Sequence, residues 1–350
     1  IAGTTTVAGS GEAEEKRGVA IHVYACNISM QRSFYNADGD VLIVPQLGSL
    51  YVHTELGHLK VTPGEILMIP RGIVYMVQLL NPSARGYILE IFKGHFALPE
   101  LGPLGANGLA NARDFMYPVA QFDRGCSDVQ AHDVVCKMGG DFFKRTILRS
   151  PYDVVAWHGN YAPFKYQLSN FCTMGSISFD HPDPSIFTVL TCASNTPGEA
   201  TADFVVFPPR YMVAEKTFRP PYFHRNCMSE YMGMIHGVYD AKKGFVAGGG
   251  SLHSCMSAHG PDVATFVAAS SCPLSATKFE GGLAFMFETS AILKPTSAAA
   301  EDNRQWRDTA YKDCWKSFPV TSPRASFTAP SSSSLTAPSS SSLTAPSSSS

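Results

Sequence analysis

The residues best suited to chemistry lie in the stretch 218–262, where His224, Glu230, His253 and His259 are candidates to converge. His224 and Glu230 are six positions apart, and on an extended strand that even spacing predicts both side chains on one face. A third ligand from a neighbouring strand would complete a facial set. Two neutral imidazoles and one carboxylate on one face of an octahedron suit non-haem Fe(II) and leave the other positions open for substrate and O2. Spacing alone is weak support, because pairs of this form arise often by chance. The surroundings add to it. Pro220-Pro221 fixes the chain's entry into the strand. Gly248-Gly249-Gly250 permits close backbone approach ahead of His253. His259-Gly260-Pro261-Asp262 puts the third candidate ligand in a tight turn. The H-E-x-x-H motif of zinc hydrolases is absent.

The elements that must position these residues read as short strands. From Ile21 onward the apolar runs Val41–Val44, Leu50–His53, Ile66–Ile69, Val74–Leu80 and Tyr87–Phe92 alternate with turn signals such as Asp38-Gly39-Asp40 and Pro63-Gly64-Glu65. This pattern predicts an antiparallel sandwich or barrel. Gly57, Pro63-Gly64-Glu65 and Ile69-Pro70-Arg71-Gly72 together resemble the second conserved motif of cupin jelly rolls. Tyr75 stands where metal-binding cupins usually carry a histidine, so residues 21–95 are expected to form a cupin-like half without its metal. Residues 1–20 are expected to be irregular, Leu101–Arg113 to form a long loop, and the segment from there to Ser150 to include a helix. Strands are expected again at Val154–Trp157, Ile186–Thr191, Phe204–Phe207, Val263–Ala268 and Leu283–Phe287. Three tandem eight-residue units (FTAPSSSS, LTAPSSSS, LTAPSSSS) fill 327–350, and such a composition cannot bury a core. The expected division is therefore a β-sandwich over 1–150, a metal-binding jelly roll over 151–320 and a disordered tail over 321–350.

Composition narrows the function classes. With 27 basic and 29 acidic residues the formal net charge is -2, so no basic field is available for nucleic acid. No apolar run reaches the ~18 residues that would span a membrane, and no stretch reads as a signal peptide. The nine cysteines form no C-x-x-C pair, which suits a reducing, cytoplasmic setting.

Six segments are similar to those of the homogentisate 1,2-dioxygenases: GANGLANARDF (105–115), VVAWHGNYAPFKY (154–166), FDHPDPSIFTVLT (179–191), ADFVVFPPR (202–210), TFRPPYFHRNCMSEYMG (217–233) and GGGSLHS…HGPD (248–262). The likeness runs from about residue 10 to about 318. It implies an all-β-dominated fold of two cupin-like jelly-roll domains with a few short helices. It also implies an Fe(II) centre held by His224, Glu230 and His259, with His181 as acid–base catalyst. Tyr239 and His259 would contact the substrate, and His253 would support the site from behind or line its wall. The implied reaction is O2-dependent ring cleavage of homogentisate to 4-maleylacetoacetate, a step of tyrosine and phenylalanine breakdown, in a hexamer built as a dimer of trimers. Family members carry a further segment before the point matched by Ile1, so the chain is expected to be truncated there. Two other readings stay open: a cupin dioxygenase for another phenolic substrate, and a non-catalytic truncated paralogue.

Overall fold

The computed structural model describes residues 3–100, 109–123, 131–174, 184–215, 223–242, 244–273, 275–299 and 307–318. Strands dominate these residues, with one α-helix, Val263–Ser271, and a few short 3-10 turns. Three large sheets carry the architecture. An eight-stranded sheet has the spatial order Phe115–Met116, Phe164–Gln167, Glu65–Ile69, Asp40–Leu47, Ala84–Ile91, Arg17–Cys26, Thr4–Glu12, Lys294–Pro295. A six-stranded sheet runs Asp141–Ile147, His132–Met138, Ser33–Asn36, Tyr75–Leu79, Leu50–Thr54, Gly57–Val61. A five-stranded sheet runs Thr188–Ala193, Ala200–Phe207, Gly282–Thr289, Ser229–Gly237, Gly250–His253. Pairing is antiparallel except between Ser33–Asn36 and His132–Met138.

The apolar pattern explains the layering. A strand with one wet face alternates, whereas one covered on both faces is apolar throughout. Glu65–Ile69 (EILMI) is buried at every position, and Asp40–Leu47 is buried over its first six. Alternate residues of these strands enter different cores. Val41, Ile43, Leu67 and Ile69 pack with Leu50, Val52, Leu59 and Val61 of the six-stranded sheet. Leu42, Val44, Ile66 and Met68 pack with Phe204, Val206, Met232, Phe285 and Phe287 of the five-stranded sheet. The eight-stranded sheet is thus a wall shared by two cores. Each large side chain buried there contributes about 1.5–3 kcal/mol before conformational entropy is counted. The chain forms two cupin-like β-halves joined through this wall.

Several local expectations are corrected. Residues within 1–20 are not irregular: Thr4–Glu12 pairs with Arg17–Cys26 along its length. β-Branched Thr4, Thr5, Thr6 and Val7 suit a strand, and the long-range sheet supplies the partner. Before Ser150 the structure has no α-helix among the described residues; His132–Met138 and Asp141–Ile147 form a hairpin across Gly139-Gly140. Val154–Trp157 forms no strand, and Ile186–Phe187 closes a 3-10 turn before the strand begins at Thr188. Val263–Ala268 is helical, because Asp262 caps the first turn by accepting from the Thr265 N–H at 2.7 Å. Tyr75 is buried and packs edge-on against Phe34, with ring centroids 5.6 Å apart. Among the described residues no helix is long and apolar enough to cross a membrane. The repeats at 327–350 and residues 101–108 of the expected loop lie outside the described residues.

Candidate metal centre

His224 and His259 meet across an isolated antiparallel bridge. Each backbone N–H donates to the other's carbonyl at 3.0 Å, so the two imidazoles leave the backbone side by side with ring centroids 4.4 Å apart. Glu230 sits on Ser229–Gly237, a strand held between Gly282–Thr289 and Gly250–His253. The expectation that His224 and Glu230 share one continuous strand is corrected here. The strand begins only at Ser229, and Asn226 turns the chain before it by accepting from the Met228 N–H at 3.0 Å. The two residues converge because a turn and a long-range bridge bring them together. Ligand atoms of His224, Glu230 and His259 all lie within 4.8 Å of one another.

The neighbours orient this group. Nδ1 of His259 donates to the Ser257 carbonyl at 2.9 Å, which leaves Nε2 with its lone pair facing the site. That Nε2 is buried and lies 3.2 Å from Glu230 Oε2, yet it is off the line for a hydrogen bond. Asn226 Nδ2 donates to Glu230 Oε1 at 3.0 Å and to Glu288 Oε1 at 3.2 Å. His253, the register partner of Glu230, donates from Nδ1 to Glu230 Oε2 at 3.1 Å. Its Nε2 then accepts from Lys242 Nζ at 2.8 Å and from Ser251 Oγ at 3.0 Å. Both ring nitrogens of His253 are engaged, so it supports the carboxylate and does not join the triangle.

Charge follows from this packing. Burial would raise the Glu230 carboxyl, but the His253 hydrogen bond, the approach of His259 and the Asn226 amide outweigh it and hold the group well below the usual carboxylate range. Burial draws His253 down to about 4, against the pull of Glu230. Burial likewise draws Lys242 down to about 8, opposed by the charges of Glu230, Cys314 and Asp262. Burial pushes the Tyr239 phenol far up, so it stays neutral.

The three candidate ligands open on a pocket that Tyr239, Lys242, Arg210, Phe207 and Met286 also line. Arg210 pairs with Asp240 at 3.2 Å and stacks among Phe187, Phe207 and Phe279. The shared wall reaches the site as well. Tyr87 Oη donates to the Gly249 carbonyl at 2.8 Å, and Gly248, with φ +82°, presses on the Arg85 guanidinium where a Cβ would collide. Gly250 faces the Tyr231 hydroxyl with the same lack of room. The glycine run is thus a close-approach turn leading into Gly250–His253.

Of the residues singled out in the sequence, the structure brings together His224, Glu230, His259, His253 and Tyr239. His181 lies outside the described residues. Lys242, Asn226 and Arg210 were not foreseen. A lysine in the loop segment DAKKGF ordinarily reads as solvated, and no local pattern marks Lys242 as buried.

Fold and site together define a cupin-like protein whose second half carries a His/Glu/His group able to hold a metal ion. Profiles of the homogentisate 1,2-dioxygenase N-terminal and C-terminal regions match residues 1–168 and 169–322. Proteins named homogentisate 1,2-dioxygenase from Dictyostelium discoideum and Drosophila melanogaster are each 55% identical to this chain over 319 residues, covering 90% of it and 72% of the relative. A cupin-2 domain structure from Shewanella frigidimarina aligns at 16% identity and a TM-score of 0.20, over 21% of this chain and 70% of that one. The chain belongs to the homogentisate 1,2-dioxygenase family.

Proposed function

We propose that this protein is an Fe(II)-dependent dioxygenase that opens the ring of homogentisate with O2 to give 4-maleylacetoacetate. The observation that carries the metal reading is the convergence of ligand atoms of His224, Glu230 and His259 within 4.8 Å of one another. His224, Glu230 and His259 would hold the iron, a donor set that suits it. When bound, the metal supplies a Lewis-acidic, redox-active centre with open positions for an aromatic diol and O2. The chain's own residues do the rest. His253 and Asn226 fix the Glu230 carboxylate, and the Ser257 carbonyl fixes the tautomer of His259. Tyr239 offers a neutral phenol to the substrate from the pocket wall, and Phe207 and Met286 help exclude water. His181, by family resemblance, moves the hydroxyl proton. Free thiols at all eight cysteines among the described residues support a reducing, cytoplasmic setting. A hexameric assembly, a dimer of trimers, is carried over from the same resemblance.

Oxygen uptake with homogentisate by the Fe(II)-loaded protein tests this directly. Turnover is expected, and alanine at His224, Glu230 or His259 should abolish both iron retention and uptake. Wild-type turnover by any of these variants would remove that residue from the ligand set. A panel of other phenolics under the same conditions separates this substrate from the alternative cupin dioxygenase.

A further inference from the structure

Lys242 is 4% exposed, unusual for a lysine, and it reaches the same pocket as the three candidate ligands. The loop that carries it is tied to the turn after His259, because the Asp262 N–H donates to the Ala241 carbonyl at 3.2 Å. Its Nζ lies 2.8 Å from His253 Nε2 and 5.7 Å from the centre of the Trp315 ring. Among the described residues no carboxylate forms an ion pair with it; its hydrogen-bond partner is a neutral imidazole. The other cation of the pocket, Arg210, is already neutralised by Asp240 at 3.2 Å. A buried charge is costly unless it is paired. A divalent ion against the single carboxylate of Glu230 would leave further positive charge, to which Lys242 adds. The pocket therefore lacks an anion.

We propose that Lys242 is the residue that binds an anionic oxygen of the substrate. The assignment rests on the homogentisate reading above, and the anionic oxygen is that of the side-chain carboxylate or of an ionised ring hydroxyl. Arg210 holds Asp240 and takes no part in this contact. The hydrogen bond to His253 aims the ammonium, and His253 in turn holds Glu230, so the same chain of contacts sets both the substrate's counter-charge and the ligand carboxylate.

Anaerobic calorimetric titration of the Fe(II)-loaded protein tests the assignment without turnover. Homogentisate and its methyl ester are titrated into the wild type, Lys242→Gln and Lys242→Arg. Lys242→Gln keeps a donor toward His253 and loses the charge. It should bind homogentisate about ten- to a hundredfold more weakly, the size of one hydrogen-bonded charge, while Lys242→Arg stays within about fivefold of the wild type on the same scale. Loss confined to the acid marks the carboxylate as the partner, and equal loss with acid and ester marks the ring oxygen. Affinity of Lys242→Gln within twofold of the wild type for both ligands overturns the assignment. So does equal weakening in Gln and Arg variants, which would report packing and not charge. Should Lys242→Gln fail to hold iron, Lys242→Met, which restores the buried stem without the charge, carries the same comparison. A wild type that binds neither ligand sinks the homogentisate reading itself and is distinguished by that control.

Discussion

Two buried glutamates, one in each half, are built alike and finished differently. Glu90, on the shared wall, is 2% exposed; it takes Lys137 Nζ at 2.6 Å on both oxygens, Asn36 Nδ2 at 2.6 Å and His22 Nε2 at 3.1 Å. Glu230 is 5% exposed and takes His253 at 3.1 Å and Asn226 at 3.0 Å, but its third neighbour, His259 Nε2, stands at 3.2 Å without bonding. Each carboxylate has an amide and an imidazole. The first also has its own ammonium, so it is complete. Among the described residues the second pairs with no lysine or arginine and has the Nε2 of His259 beside it, a setting that would suit a metal ion. A buried carboxylate becomes a site when the fold withholds its counter-charge.

That contrast can be broken by exchanging what each residue loses. Glu90→Ala strands Lys137 and Asn36 in the interior and should cost about 3–5 kcal/mol in urea unfolding, while the folded protein retains its iron. Glu230→Ala should reverse the pattern, with iron lost and a smaller shift of the unfolding midpoint. Iron loss in the Glu90 variant with unchanged stability would show that the two roles are misassigned.

Acid should act on the half without the ligands through two groups. Burial opposes ionisation of Glu90, but His22, Lys137 and Asn36 bring its carboxyl from 4.5 down to about 2. Its contribution to stability is therefore complete above pH 4.5 and is lost as pH falls toward 2. His53, stacked on His58 and Tyr152, is drawn by burial and by His58 from 6.5 down to about 4. The unfolded chain takes up that proton first, so stability falls as pH drops from 6.5 to 4. Denaturant midpoints measured across this range should decline through both windows. His53→Phe, which keeps a ring in the stack, should flatten the upper one; an unchanged slope there would assign it to other histidines.

The smallest effect should come from Asn226, which touches Glu230 and carries no charge. Asn226→Ala is expected to weaken iron binding by about tenfold, as loss of a ligand-orienting hydrogen bond does. Competition with a chelator reads this out, and undiminished iron affinity would leave His253 as the sole support of the carboxylate.

Sequence made the site more legible than the layout around it. His224, Glu230, His259, His253 and Tyr239 stand in motifs long enough to be recognised. Even spacing is not what pairs His224 with Glu230, because a bridge between residues 224 and 259 is a long-range contact that spacing does not encode. The strands of the wall were readable from their unbroken apolar runs. Thr4–Glu12 was missed because a polar, glycine-bearing strand is fixed by its partner, not by its own pattern. VATFVA was mistaken for a strand because periodicity cannot classify so short an apolar run; the cap at Asp262 was the available signal. Lys242 left no trace, since burial of a lone loop lysine depends wholly on what folds over it.

The phenol of Tyr87, reaching from the shared wall to the carbonyl of Gly249, has a consequence for how such a chain can vary. The half without the three ligands is no spare part that a lineage could shed. It holds the turn from which His253 rises, and one of its faces closes the other half's core. Inherited changes in that half would reach the reaction through leverage, altering turnover while every ligand stays in place.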